Sequence, residues 1–280
     1  MADGALPSRT GDLVRWVLLL ALVAAQFLPT SANTGLLGLV VGELPVVIAL
    51  LHFAAWTTWG TALVGLVVMY SIAYVSEFLG THTGLIFGEY FYSPTAIGPL
   101  VGEVPILLPL AYFSMGYAAY AVTRTMLRNT DRRLGPIELL FTSALAALVM
   151  TLIDLVSDPI AATLNGKWTW EQGGAFFGVP VHNFYGWLGT TFTFFVVVSL
   201  LLNRRSVVSR LRRPFGAQFR WQAIVLYATY GLGVFVNPFL GRTNEIYDAM
   251  SMLAFCTAMI PIIAAGMAVN RTREDVRSRH

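Results

Sequence analysis

Asp154 and Asp158, in the word DLVSDP, are the residues of this sequence best placed to hold or move a proton. Four positions apart, they stack on one face if the segment is helical. Two carboxyl groups so placed, away from water, share a proton or bind a cation. Glu77 is a third acid of this kind. It opens the stretch EFLGTHTGLIFGEYFYSP (77–94), which also holds His82, Phe87, Glu89, Tyr90 and Tyr92. Another stretch, GKWTWEQGGAFFGVPVHNFYGW (166–187), supplies Trp168, Trp170, His182, Asn183 and Trp187. Any one of these rings suits an interfacial aromatic belt. Collected beside acids, they can line an apolar slot and face a developing cation.

Further acids fall near the same places: Glu43, Glu103, Glu171, Glu245 and Asp248. Glu43 and Glu103 lie in the similar words VGELP (41–45) and VGEVP (101–105). Together with FGVPVHN (177–183), these read as helix starts, since proline is tolerated in a first turn. There the helix dipole favours an ionised carboxylate, suited to hydrogen bonding or charge compensation. Glu77, Asp154 and Asp158 are expected near helix C-termini, where negative charge is disfavoured and an uncharged acid is favoured. His82 and His182 have no partner at metal-ligand spacing such as HExxH, so no metal site is expected. No phosphate loop, dinucleotide fingerprint or GxSxG appears, and no cofactor is implied.

The elements that must hold these groups are membrane helices. Of 280 residues, 56% are hydrophobic and 12% charged, against about 25% charged in soluble domains. The expected fold is an all-α polytopic membrane protein, a single domain over 1–280 with polar tails at 1–12 and 271–280. Apolar runs of about 20 residues predict eight spans: 13–30, 36–56, 61–80, 103–125, 136–157, 183–203, 221–240 and 247–269. Seven spans with a re-entrant segment is the alternative, because HFAAWTTWG between the second and third carries no lysine or arginine. The run from Leu13 to Leu28 reads as a first helix, not a cleaved leader. Cys256, the single cysteine, reads as a small core residue.

With both termini cytoplasmic, all of the 18 lysines and arginines except Lys167 and Arg242 fall on the cytoplasmic side, as the positive-inside rule requires. The basic loops are therefore topology signals and anionic-lipid contacts, not nucleic-acid sites. The acids then gather toward the extracytoplasmic side of the plasma membrane. Ionisable groups at membrane depth usually face an interior cavity or a partner, so a polar site is expected there.

At EFLGTHTGLIFGEYFY (77–92), GEVPILLPLAYF (102–113), DLVSDP (154–159) and WTW…FFGVPVHNFYGW (168–187) the chain resembles the membrane-bound carotenoid 1′,2′-hydratases, the family that includes the bisanhydrobacterioruberin hydratases. The resemblance covers roughly residues 70–200. It implies addition of water to the terminal 1′,2′ double bond of an acyclic carotenoid of the lycopene, gamma-carotene or bisanhydrobacterioruberin type. An acid protonates carbon 2′, and water captures the tertiary cation at carbon 1′. Glu77, Asp154 and Asp158 are then the expected catalytic residues. Glu89, Tyr90, Tyr92, Glu103, Trp168, Trp170, His182, Asn183 and Trp187 are expected to bind substrate. The implied partners are an apolar carotenoid, membrane lipids and other carotenoid-pathway enzymes.

Two other classes compete. DLVSD has the DxxxD spacing of membrane prenyltransferases, in which aspartates hold magnesium-bound diphosphate. Those enzymes need a second aspartate-rich motif and cationic contacts, and the outer face offers Lys167 and Arg242. A transporter or lipid-binding protein would show repeated halves and helices broken at the midplane, whereas these polar groups lie toward one side.

Overall fold

The apolar runs are helices in the computed structural model, which describes residues 9–28, 35–93, 99–204 and 216–277. In chain order they are α1 (Arg9–Ala25), α2 (Gly35–Trp56), α3 (Trp59–Thr83), α4 (Leu108–Met126), α5 (Pro136–Asp158), α6 (Val181–Leu202), α7 (Ala217–Phe235) and α8 (Glu245–Arg277). Five of them, α2, α3, α5 with its extension, α6 and α8, are long and apolar enough to cross a bilayer. The chain is an all-α membrane protein. α8 runs on to Arg277, past its expected end. The loop at 205–213, positions 1–8 of the N-terminal tail and the last three residues lie outside the described residues.

HFAAWTTWG is a joint between two full helices. α2 stops at Trp56, and Thr58 caps α3 by accepting the Thr61 amide at 3.0 Å. A threonine oxygen in that position satisfies one of the amides that a helix start leaves open.

α4 is the axis of the bundle, packed against α2, α3, α5, α7 and α8. Nearly every residue from Tyr112 to Thr125 is buried. Because α4 faces other helices more than lipid, it can carry tyrosines, serine, glycine and Arg124 where an outer helix must be apolar. Cys256 is exposed on α8 and is not the core residue expected.

The bundle has two chemically different ends. At one, Arg15 bonds Gln222 at 2.8 Å, Arg220 bonds Asp131 at 2.8 Å and Arg132 bonds Glu138 at 2.7 Å. Buried Arg124 closes the C-terminus of α4 by donating to the Asn129 side chain at 2.6 Å and the Arg132 carbonyl at 3.0 Å. The other end holds the C-termini of α3 and α5 and the N-termini of α4 and α6. Its connections contain short strands. β1 (Tyr90–Tyr92) pairs antiparallel with β4 (Trp168–Trp170), setting Tyr90 opposite Trp170 and Tyr92 opposite Trp168. β2 (Leu100–Val101) and β3 (Val104–Pro105) form a small hairpin.

Of the three words read as helix starts, one behaves so: Pro180 is the N-cap of α6. VGELP lies within α2, with Pro45 inside the helix. VGEVP forms the β2–β3 turn, with Glu103 at φ 65°. The likeness of those two words is not a structural repeat, and neither Glu43 nor Glu103 occupies the first turn of a helix.

Candidate active site

α5 carries Asp154 and Asp158 on one face, as their spacing requires, and both are buried. Pro159 has no N–H for the carbonyl four residues back. The α register ends at Asp158, and a π-turn follows over Pro159–Leu164. The Asn165 amide there bonds the Ile160 carbonyl at 3.0 Å, five residues back. Single π-turns often mark functional positions, and this one sets the direction in which the chain leaves the aspartates.

The two carboxyl groups meet at one donor. Two like charges brought together out of water favour a proton on one of them. Asn183, in the first turn of α6, donates its amide to Asp158 Oδ2 at 2.6 Å and to Asp154 Oδ2 at 3.2 Å. One amide nitrogen thus bridges the two carboxyl groups.

Glu77, in the last turns of α3 and 3% exposed, has different company. Tyr90 and Tyr92 donate to its Oε2, the latter at 2.5 Å, and Tyr112 donates to Oε1 at 2.5 Å. Three phenols on two oxygens make Glu77 a saturated acceptor. Burial, and then the adjacent Glu77 carboxylate, push the Tyr90 and Tyr92 hydroxyls above the usual phenol range, so both stay protonated and donate. Tyr112 links the two groups, with its hydroxyl on Glu77 and its ring stacked on Trp187, one helical turn from Asn183. The three buried acids therefore belong to one polar centre whose hydrogen-bond partners are phenols and an amide. Among the described residues, no group of three or more histidines, cysteines or carboxylates is arranged to hold a metal ion.

The rings around it come from distant parts of the chain. β1 alternates inward and outward, so Tyr90 and Tyr92 both face Glu77 while Phe91 points away. Trp170 packs 6.1 Å from Tyr90 and Trp168 packs 6.0 Å from Tyr92, centroid to centroid. The Trp170 indole N–H holds the Phe87 carbonyl at 3.0 Å. Trp187, four residues after Asn183 and on the same face of α6, stacks on Tyr112 at 4.3 Å and 13°. Two glycines permit this closeness. A Cβ on Gly186 would lie 2.0 Å from the Ile86 carbonyl oxygen, and one on Gly80 would lie 2.8 Å from the Phe87 ring and 3.0 Å from the Tyr90 hydroxyl.

The structure thus unites Glu77, Asp154, Asp158, Asn183, Tyr90, Tyr92, Trp168, Trp170 and Trp187. It sets three other expected residues apart. Glu89 is exposed and bonds Gln172 at 3.2 Å. Glu103 is exposed in its turn, 3.9 Å from His82. His182 is exposed and donates to the Leu85 carbonyl at 2.7 Å, which pins α6 to the loop after α3. Glu171, Glu245 and Asp248 are also exposed, so the gathering of acids comes down to three. Tyr112 was missed. A tyrosine in an apolar helix carries no mark of its own, and its place in GEVPILLPLAYF was the available hint.

A family model described as carotenoid biosynthesis protein matches residues 34–261. A bisanhydrobacterioruberin hydratase of Haloarcula japonica is 38% identical over 130 residues, covering 46% of this chain and 41% of the relative. The chain thus aligns with less than half of that protein's length. No solved structure matches.

Proposed function

The chain belongs to the carotenoid biosynthesis protein family, and from that premise we propose that it adds water to the terminal 1′,2′ double bond of an acyclic carotenoid. The observation that carries this reading is the buried Asp154–Asp158 pair, bridged by Asn183, beside a tyrosine-held Glu77. The 38% identity to a hydratase supports it.

In this mechanism Asp154 gives its proton to carbon 2′, and the π electrons form the new C–H bond. A tertiary cation remains at carbon 1′. Glu77 keeps its three phenol hydrogen bonds and acts as a fixed anion toward that cation, with the Trp187 ring adding cation–π attraction. A water oxygen bonds carbon 1′, and its surplus proton passes to the aspartate pair, restoring it. The net change is alkene plus water to tertiary alcohol. General acid catalysis of this kind contributes about 10²- to 10⁴-fold. Proton transfer and electrostatic stabilisation suffice, so the reaction asks for no cofactor. The three phenols favour this role for Glu77 over that of proton donor.

The positive-inside rule supports a cytoplasmic arginine-rich end, and with it an acid centre near the extracytoplasmic surface. A carotenoid is a rod comparable in length to the roughly 30 Å hydrocarbon core, so its end reaches that depth, where water is available.

The test is expression in a lycopene-producing bacterium followed by mass analysis of the pigments. A gain of one water per modified end is expected; unaltered lycopene with abundant membrane-inserted protein would overturn the proposal. Turnover should also survive chelation. Loss of activity with chelator, restored by magnesium, would favour diphosphate chemistry at Asp154 and Asp158 instead.

A further inference from the structure

We infer that Tyr112 is a positioning residue that sets the distance between the aspartate pair and Glu77, a role that rests on the hydration reading above. Tyr112 is 1% exposed, in the first turns of α4. Of the three hydroxyls on Glu77, the other two come from β1, a three-residue strand, and Tyr112 alone comes from a helix. It also holds a different oxygen. Tyr90 and Tyr92 share Oε2, whereas Oε1 is held by Tyr112.

The ring of the same residue reaches the other acid group. It lies flat on Trp187, whose face of α6 also carries Asn183, the donor to both aspartates. One side chain therefore touches Glu77 through its hydroxyl and the aspartates' support through its ring. Because α4 is packed by helices around it, this brace stands on the central helix of the bundle. The anion must sit at a fixed place relative to the protonated carbon for its charge to act on the cation, and Tyr112 joins the two.

The experiment compares wild type, Tyr112→Phe, Tyr90→Phe and Tyr112→Leu in liposomes with increasing acyclic carotenoid, each normalised to folded protein by thermal melting. Tyr112→Phe keeps the stack and loses the hydroxyl. It should lower kcat by about 10- to 100-fold, the range for a hydrogen bond to a charged group, with KM changed by less than about twofold. Tyr90→Phe should lose less, because Tyr92 still holds Oε2. Tyr112→Leu, which also loses the stack, should lower kcat further and raise KM. Wild-type kcat in folded Tyr112→Phe, or equal losses in Tyr112→Phe and Tyr90→Phe, would overturn the inference while leaving hydration intact. A wild-type protein that hydrates nothing would remove both.

Discussion

Replacing the two aspartates singly and together tests the centre most directly. In Asp154→Asn the proton donor is gone, and turnover should fall by at least about 10²-fold, equivalent to about 2.7 kcal/mol of barrier. In Asp158→Asn the donor stays but its charged neighbour becomes an amide. The lost interaction is a hydrogen bond to a charged group, about 1.5–3 kcal/mol, or roughly 10- to 100-fold. Asn183 donates to both carboxyls, at 2.6 Å to Asp158 and 3.2 Å to Asp154, so the two are neighbours. If the two carboxyls share one proton they act as a unit. The double variant should then be no more than about threefold worse than Asp154→Asn. Independent sites would multiply, leaving the double at least about tenfold below that single. The assay is tertiary-alcohol formation from an acyclic carotenoid in liposomes, measured by mass and normalised to folded protein. Multiplicative losses would refute the shared proton, and full activity in Asp154→Asn would refute its role as acid.

Three further outcomes are expected. Glu77→Gln sets an amide nitrogen against phenol donors, leaving one or more without an acceptor; stability should fall by about 1–3 kcal/mol in thermal melting, and turnover by about 10²-fold as the stabilising anion is lost. Unaltered melting and turnover would remove Glu77 from the centre. Gly186→Ala drives a methyl into the Ile86 carbonyl, a clash that only backbone movement relieves; it should cost about 1–3 kcal/mol, while Gly189→Ala, which meets nothing within 4 Å, should melt as wild type. Reporters fused at either terminus should prove cytoplasmic, and a C-terminal fusion that proved periplasmic would invert the orientation.

The helices and the aspartate face were legible in the sequence because both depend on local periodicity. Twenty apolar residues mark a helix wherever they occur, and a four-residue interval puts Asp154 over Asp158. The start of α6 was legible for the same reason, since Pro180 does its work within one turn. What escaped notice depends on distant pairing. Tyr90 and Tyr92 meet Trp170 and Trp168 across β1 and β4, with α4 and α5 between them in the chain. No window of sequence displays that register. Glu89, Glu103 and His182 sit beside the right words yet point outward, because the alternation of a strand, the hand of a turn and the rotation of a helix each turn neighbours to opposite sides. Glu43 shows the converse: a proline two residues on looked like a helix start, but Pro45 is accommodated inside α2.

The burial of three acids in two helices bears on how the protein enters the membrane. α3 emerges from the ribosome with Glu77 before Tyr90, Tyr92 or Tyr112 has been made. α5 likewise emerges with both aspartates before Asn183 exists. On the insertion scale an aspartate at a helix centre opposes partition by about 2.5–3.5 kcal/mol, less toward the ends. The long apolar stretches of α3 and α5 must overcome this unaided, and the helix-terminal placement of the acids makes that possible. Only when α6 arrives does Asn183 reach the aspartates, with Trp187 closing on Tyr112. The acid centre is therefore completed after insertion, by lateral packing of helices. Truncation before α6 should yield inserted helices in which Asp154 and Asp158 still lack their amide donor.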